Sequence, residues 1–173
     1  SGEADIVIAG GMESMTNAPY LAMGARSGFR FGDVSLLDAI QKDGLWCAFD
    51  ACLMGLGTDR YTEGNISRDV QDDLAMKSNQ RAAAAIAAGK FVDEIVPVSI
   101  PQRKGDALIV DTDEGVRAST TMESLASLKP AFDKAGTITA GNASQISDAG
   151  SAIVMMSKRA AEKRGIKPLG EFV

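Results

Sequence analysis

Histidine is absent from this 173-residue chain, and aromatic residues make up only 5% of it. Without histidine, the chain by itself forms neither a Ser–His–Asp triad, nor a Cys–His dyad, nor a metal site with histidine ligands. We therefore predict no metal site. Any acid–base chemistry within the chain would depend on Asp, Glu, Lys, Tyr or Cys.

Positive charge and long apolar runs are also scarce. The chain has 18 Lys and Arg against 23 Asp and Glu, which predicts no binding to nucleic acid or to anionic membranes. No apolar run approaches the ~20 residues of a membrane span, and the N-terminus lacks a secretory signal pattern. Cys47 and Cys52 match no zinc or redox motif, and we predict two buried thiols in a cytoplasmic protein.

The remaining composition, 45% hydrophobic and 24% charged, is typical of a folded domain. A β-branched run at 6–9, followed by Gly10 and Gly11, predicts a buried parallel strand that ends in a tight turn. Residues 169–173 are predicted to begin another strand. Core strands at both ends favour an excerpt from a larger α/β protein, whereas ordinary edge strands remain the alternative.

Helical and hairpin patterns occupy the interior. A weak pattern predicts a helix over 35–41, and a strong one predicts a helix with Ser67 as its N-cap and Gly89 as its C-terminal stop. The positions spaced for one face of this helix are Val70, Leu74, Ser78 and Ala82. Residues 94–100 and 107–112 are predicted to form a β-hairpin with a turn at 101–106.

Small and hydroxyl side chains fill residues 136–145, Gly-Thr-Ile-Thr-Ala-Gly-Asn-Ala-Ser-Gln. Small side chains leave the backbone accessible to an elongated ligand, or else allow tight loop packing, and the sequence favours neither. A buried strand is predicted at 151–156, and Ser157 is predicted to cap a helix that runs to Arg164.

Several segments resemble the thiolases, the family of acetyl-CoA acetyltransferase and 3-ketoacyl-CoA thiolase. The resemblance extends in order along the whole chain. It is carried by Ala9–Met15, Lys42–Leu45, Met54-Gly55, Ser67-Arg68 with Gln71-Asp72, Gly89–Phe91 with Glu94–Pro97, Leu128–Asp133 and Gly136–Ser144.

The resemblance implies a partial thiolase-like α/β fold. A complete thiolase has two similar α/β halves, each with a mixed five-stranded sheet, and a loop domain inserted into the first half. By this resemblance, residues 1–20 are the end of the N-terminal half. Residues 21–145 are the α+β loop domain with its connections, and residues 146–173 begin the C-terminal half.

The resemblance also implies an acyltransferase of fatty acid metabolism that acts through a cysteine thioester. The family's nucleophilic cysteine, histidine and second cysteine have no counterparts here, so no residue is assigned a catalytic role and the chain alone is predicted to be inactive. The resemblance further implies that coenzyme A and acyl-CoA are substrates, that no cofactor is permanently bound, and that the complete protein is a homodimer or homotetramer. A noncatalytic CoA- or lipid-binding relative and an inert structural fragment are the alternatives.

Residues that bind coenzyme A are implied by matching positions. Ser144 resembles a serine that contacts the pantetheine arm, and Ala140 a small residue beside it. Leu45, Met54 and Phe132 resemble residues that form the apolar walls of the pantetheine tunnel. Arg117 and Ser124 resemble residues that contact the nucleotide end of coenzyme A. Met54 and Phe132 would otherwise be plain core residues, and Arg117 a solvated charge.

Three features of the sequence depart from the family pattern. Leu53 stands where the family commonly has His before Met-Gly, which makes one edge of the acyl pocket apolar. Gln145 replaces the small residue that some members have after the serine. Residues 148–150 read Asp-Ala-Gly in place of the more familiar Asp-Gly-Ala.

Overall fold

The structure, a computed structural model, describes residues 3–172. They form two compact units, one with the described residues up to Ala18 and from Ile146 onward, the other spanning Pro19–Gln145. The helices are α1 (Met54–Thr62), α2 (Arg68–Ala87), α3 (Met122–Ala126) and α4 (Lys158–Arg164). The strands are β1 (Ile6–Glu13), β2 (Tyr20–Leu21), β3 (Leu37–Asp38), β4 (Trp46–Cys47), β5 (Cys52–Leu53), β6 (Val98–Ile100), β7 (Leu108–Val110) and β8 (Ala149–Met156).

The first unit is built on the pair β1–β8. The predicted strands exist, but they pair antiparallel, with Ile6 opposite Met156 and Glu13 opposite Ala149. The predicted turn at Gly10 and Gly11 is wrong, because both glycines lie inside β1. A Cβ atom at Gly10 would collide with the backbone oxygen of Ser151, so glycine permits the close approach of the two strands.

Burial of these strands was also predicted wrongly. Ile8 in β1 is 74% exposed and Val154 in β8 is 64% exposed. Among residues 3–172 these two strands pair only with each other, and nearly all of their residues are exposed.

Helix α4 follows β8 as predicted. The Ser157 hydroxyl accepts a hydrogen bond from the Ala160 amide at 3.2 Å, and Gly165 ends the helix with a φ of 65°. Ala160 and Ala161 are buried. The strand predicted at 169–173 is absent from residues 169–172, and Val173 lies outside the described residues.

In the second unit, α2 begins and ends where the sequence predicts. The Ser67 hydroxyl accepts from the Val70 amide. At the other end, the Gly89 amide donates to Ile86 and the Lys90 amide to Ala85. This is the Schellman pattern, and Gly89 adopts the positive φ, 66°, that it requires.

The helix face on which Val70 and Leu74 lie is not the buried face of α2. Val70 and Leu74 are 59% and 66% exposed, whereas Asp72 is only 1% exposed. The helix is therefore anchored through a paired carboxylate, which a hydrophobic pattern cannot reveal.

Short hairpins complete the second unit. The predicted hairpin is confirmed as β6–β7, although its strands are shorter than predicted. The helix predicted at 35–41 is wrong for its first part, where β3 pairs with β2. Asp38 then accepts from the Ile40 amide at 2.9 Å, and a π-helical turn follows at Ile40–Gly44.

No helix within residues 3–172 combines the length and apolar character that crossing a bilayer requires.

Candidate functional site

The loop at 136–145 is fixed at its start by a buried carboxylate of α1. Asp59 is 8% exposed, and its Oδ1 accepts from the amides of Thr137 at 2.8 Å and Ile138 at 3.0 Å. The Thr137 hydroxyl also approaches Oδ1, at 3.3 Å. Asp59 Oδ2 is buried and has no hydrogen-bond partner within residues 3–172. A Cβ atom at Gly136 would overlap this carboxylate. Only glycine at this position leaves enough room for the Asp59 side chain.

A second carboxylate, from α2, fixes the middle of the loop. Asp72 accepts from Arg68 Nε at 2.6 Å and from Asn142 Nδ2 at 2.8 Å. The Asn142 side-chain oxygen in turn accepts from the amide of Thr139 at 2.7 Å, and Thr139 is completely buried. Arg68 also donates to the carbonyl of Leu125 at 2.6 Å. The ion pair of Arg68 and Asp72 is thereby connected to both the loop and α3.

Three of the predicted CoA-binding residues lie on adjoining segments. The Met54 amide donates to the Leu45 carbonyl at 2.9 Å. A Cβ atom at Gly55 would overlap the ring of Phe132, which places this ring against the start of α1, next to Met54. All three side chains are partly exposed, with Met54 at 52%, Leu45 at 40% and Phe132 at 39%. Neither Met54 nor Phe132 is a core residue of the described chain.

The segment with Phe132 also pairs with the loop. Pro130 and Thr139 form an antiparallel bridge, and the Ala131 amide donates to the Ile138 carbonyl at 2.8 Å. Ala140 and Ser144 follow in the loop, and both are exposed. Their side chains are accessible to a ligand.

The segments with Arg117 and Ser124 are tied to the same loop. Gln145 Nε2 donates to the Gly115 carbonyl at 3.0 Å, two residues before Arg117. The Arg117 amide donates to Asn79 of α2, and its side chain is exposed. The structure thus brings these segments to the loop, although within residues 3–172 no hydrogen bond joins the side chains of Arg117 and Ser144.

Ser124 lies in the first turn of α3. Its hydroxyl accepts from the Thr121 amide at 3.1 Å and donates to the Thr121 carbonyl at 2.8 Å. This capping box occupies the hydroxyl. The next residue, Leu125, is buried, and a Cβ atom at Gly141 would lie 2.5 Å from its Cδ2 atom, so α3 packs directly on the loop.

A cavity of about 300 Å³ lies at the C-terminal end of α2, where Ile86 and Gly89 line it. Its walls are mainly apolar, and Asp111 and Asp113 also line it. None of the predicted CoA-binding residues belongs to its lining. Within residues 3–172, no three His, Cys, Asp or Glu side chains are grouped to hold a metal ion.

The residues that hold the loop were not predicted as site residues. Arg68, Asp72 and Asn142 appear only inside the segments that resemble the family, and Asp59 is in none of them. The spacing of Arg68 and Asp72, four apart on one helix, was the available signal, because it allows an ion pair. Nothing local in the sequence connects Asp59 with residues 137–138, which lie 78 and 79 positions away.

Comparison with known proteins gives a consistent result. The family model described as "Thiolase, N-terminal domain" matches residues 1–159. A probable acetyl-CoA acetyltransferase of Mycolicibacterium smegmatis is 51% identical, over 99% of this chain and 45% of that protein. The acetyl-CoA acetyltransferase of Cupriavidus necator is 49% identical, over 98% of this chain and 43% of that protein.

Solved structures agree with this relationship. The structure of acetyl-CoA acetyltransferase from Syntrophomonas wolfei superposes with a TM-score of 0.88 at 43% identity, covering 97% of this chain and 42% of that one. This chain therefore has a partial thiolase-like α/β fold and spans less than half the length of these relatives. Because the family model covers most of its residues, the chain belongs to the thiolase family.

Proposed function

We propose that this chain supplies the coenzyme A-binding part of an enzyme that transfers acyl groups between CoA thioesters, of the acetyl-CoA C-acetyltransferase type. The relatives' names support this, since both curated proteins compared above are described as acetyl-CoA acetyltransferases. In this proposal residues 21–145 act as the loop domain, and 1–20 and 146–173 belong to the two α/β halves. The nucleophile and the acid–base residues lie in parts of the complete enzyme outside this chain.

One observation carries the proposal: accessible apolar side chains lie beside a rigidly held loop of small residues. Pantetheine is long, largely apolar and carries two amides, so it needs an apolar wall with a few fixed polar groups. Met54, Leu45 and Phe132 offer that wall. Asp59 and Asp72 hold the loop in place before any ligand arrives, which reduces the entropic cost of binding.

The loop would contact the pantetheine arm through two residues. Ser144 offers a hydroxyl that can donate to or accept from an amide. Ala140 has no side chain beyond Cβ, so the arm can approach the backbone there closely.

Arg117 and Ser124 are proposed for the nucleotide end. The guanidinium of Arg117 is exposed and can form charge-assisted hydrogen bonds with phosphate. The role of Ser124 is weaker, because its hydroxyl already serves the cap of α3. We propose that it contributes by its position near the nucleotide rather than by donating its proton to it.

Leu53 would line the acyl pocket. It lies in β5 opposite Trp46 and is half-buried. An apolar side chain at this position favours an acyl group without a polar end.

The remaining properties follow the family resemblance. We propose that coenzyme A and acyl-CoA are substrates, with no permanently bound cofactor, and that the complete protein is a cytoplasmic homodimer or homotetramer of fatty acid metabolism.

Calorimetric titration of the 173-residue chain with coenzyme A tests the binding role. Saturable heat is expected from the wild-type chain. The Ser144→Ala variant should bind about fivefold more weakly, which corresponds to about 1 kcal/mol for one neutral hydrogen bond. Ser78→Ala, on the exposed side of α2, is the matched control and should leave Kd unchanged.

Two results would contradict the proposal. Absence of both heat and thermal shift at millimolar coenzyme A would refute the binding role and favour an inert structural segment. Turnover of acetoacetyl-CoA with free coenzyme A by this chain alone would refute the claim that its catalytic residues lie elsewhere.

A further inference from the structure

Cys47 and Cys52 lie directly opposite each other across the β4–β5 hairpin. Their register is antiparallel, with Trp46 opposite Leu53 as the neighbouring pair. Directly opposed residues project to the same face of such a pair, with Cα atoms about 4.5–5.5 Å apart. Disulfides need Cα separations of about 4.4–6.8 Å. The two thiols, which are both free, are thus placed for a bond that the sequence spacing did not suggest.

Backbone contacts beside the two cysteines support this register. Outside the pair, the Met54 amide donates to the Leu45 carbonyl at 2.9 Å. In the connection, Ala51 adopts a φ of 48°, in the left-handed region. Because that conformation is uncommon for a residue other than glycine, the turn is defined by the surrounding structure.

The two thiols differ in accessibility. Cys47 is partly exposed, whereas Cys52 is 5% exposed. The Asp50 amide donates to Cys47 Sγ at 3.4 Å, and the thiol approaches Asp50 Oδ2 at the same distance. A small reagent can therefore reach Cys47 more readily than Cys52, which leaves Cys52 for the role of resolving thiol.

We propose that Cys47 and Cys52 form a reversible intrachain disulfide by exchange with a low-molecular-weight disulfide such as oxidised glutathione. The Cys47 thiolate attacks one sulfur of that disulfide, which forms a mixed disulfide and releases one thiolate. Cys52, as its thiolate, then attacks Cys47 Sγ, forms the intrachain bond and releases the second small thiol. The protein thiols are oxidised, the small disulfide is reduced to two thiols, and these take the two protons.

The chain is well suited to testing this, because it contains only these two cysteines. The folded chain, verified by circular dichroism, is equilibrated in glutathione buffers of graded redox potential, and the same series is run in concentrated urea. Trypsin cleavage after Lys42 and Arg60 releases residues 43–60, which contain both cysteines. A bridge is therefore detected inside one peptide as the loss of two hydrogen atoms.

The expected product is a single intrachain disulfide between Cys47 and Cys52. The effective concentration of one thiol at the other should be at least about tenfold higher in the folded chain than in urea. Cys47→Ser and Cys52→Ser should give only glutathione adducts. Equal or lower values in the folded chain would overturn the proposal, as would mixed disulfides or intermolecular dimers as the only products. The outcome is independent of coenzyme A binding, so failure here leaves the proposed function untouched.

Discussion

The Asp59 carboxylate provides the most direct test of how the 136–145 loop is held. Asp59→Ala removes the acceptor of two loop amides and leaves the Ile138 amide buried without a partner. Asp59→Asn keeps one side-chain oxygen in the same place. The oxygen that it converts to an amide nitrogen is Oδ2, which has no hydrogen-bond partner among the residues that the structure describes.

The structure gives a magnitude to each change. Leaving a buried donor unsatisfied costs about 1–3 kcal/mol, so two amides lost together predict that Asp59→Ala lowers the free energy of unfolding by about 3 kcal/mol. For Asp59→Asn, the hydrogen bonds to Oδ1 persist and one buried amide group lacks an acceptor. Its cost should be about 1 kcal/mol.

Urea unfolding, followed by the fluorescence of the single tryptophan, measures the difference. Trp46 lies in β4, in the same unit as Asp59, and therefore reports on its unfolding. The expected order of stability is wild type, then Asp59→Asn, then Asp59→Ala. If the alanine variant is as stable as the asparagine variant, the carboxylate does not hold the loop and the reasoning is wrong.

Three further predictions concern charge and close packing. Asp72→Ala should lower the free energy of unfolding by about 3 kcal/mol, because it leaves the partly buried Arg68 without its ion-pair partner. Asp73→Ala breaks only an exposed ion pair and should lower it by about 0–1 kcal/mol. Urea unfolding of the two variants measures this difference. Gly136→Ala should cost about 1–3 kcal/mol by the same measurement, since its Cβ meets the Asp59 carboxylate. A hydrogen bond from the backbone of Thr16 lowers the pKa of Asp148. The ionised Asp148 carboxylate therefore contributes its full stabilisation above the ordinary aspartate pKa, and this stabilisation is lost as the pH falls through the lowered pKa of the folded chain. The Thr16 amide resonance should follow this titration in NMR spectra, and Asp148→Asn should abolish it; a transition at the ordinary aspartate pKa would contradict the prediction.

Local signals predicted the elements that depend on local chemistry. Ser67 and Gly89 marked the ends of α2 because capping and the left-handed stop act within a few residues. The strand at 6–9 was predicted correctly, but its burial and the direction of its partner strand were not. A β-branched run indicates a strand, and nothing in it states which layers cover that strand or in which direction its partner runs.

The candidate site was only partly predictable for the same reason. Positions such as Ser144 and Phe132 came from resemblance to a family, and their assignment to coenzyme A remains a prediction. The carboxylates that support the loop were missed, because a buried Asp looks like a surface Asp until its distant partners are known. Asp59 illustrates this, because the amides that donate to it belong to Thr137 and Ile138, 78 and 79 positions further along the chain.

The small residues of the 136–145 loop fall into two groups, one packed against its neighbours and one exposed. Gly136 and Gly141 are small because a carboxylate and a leucine occupy the space beside them, and Thr139 is completely buried. Ala140 and Ser144 face solvent in the same loop, so packing does not demand their size. Packing therefore explains the small residues at Gly136 and Gly141, and the proposed ligand contact falls to Ala140 and Ser144. Substitutions at Gly136 or Gly141 should act on folding, and those at Ala140 or Ser144 on binding, which makes the two roles separable by experiment.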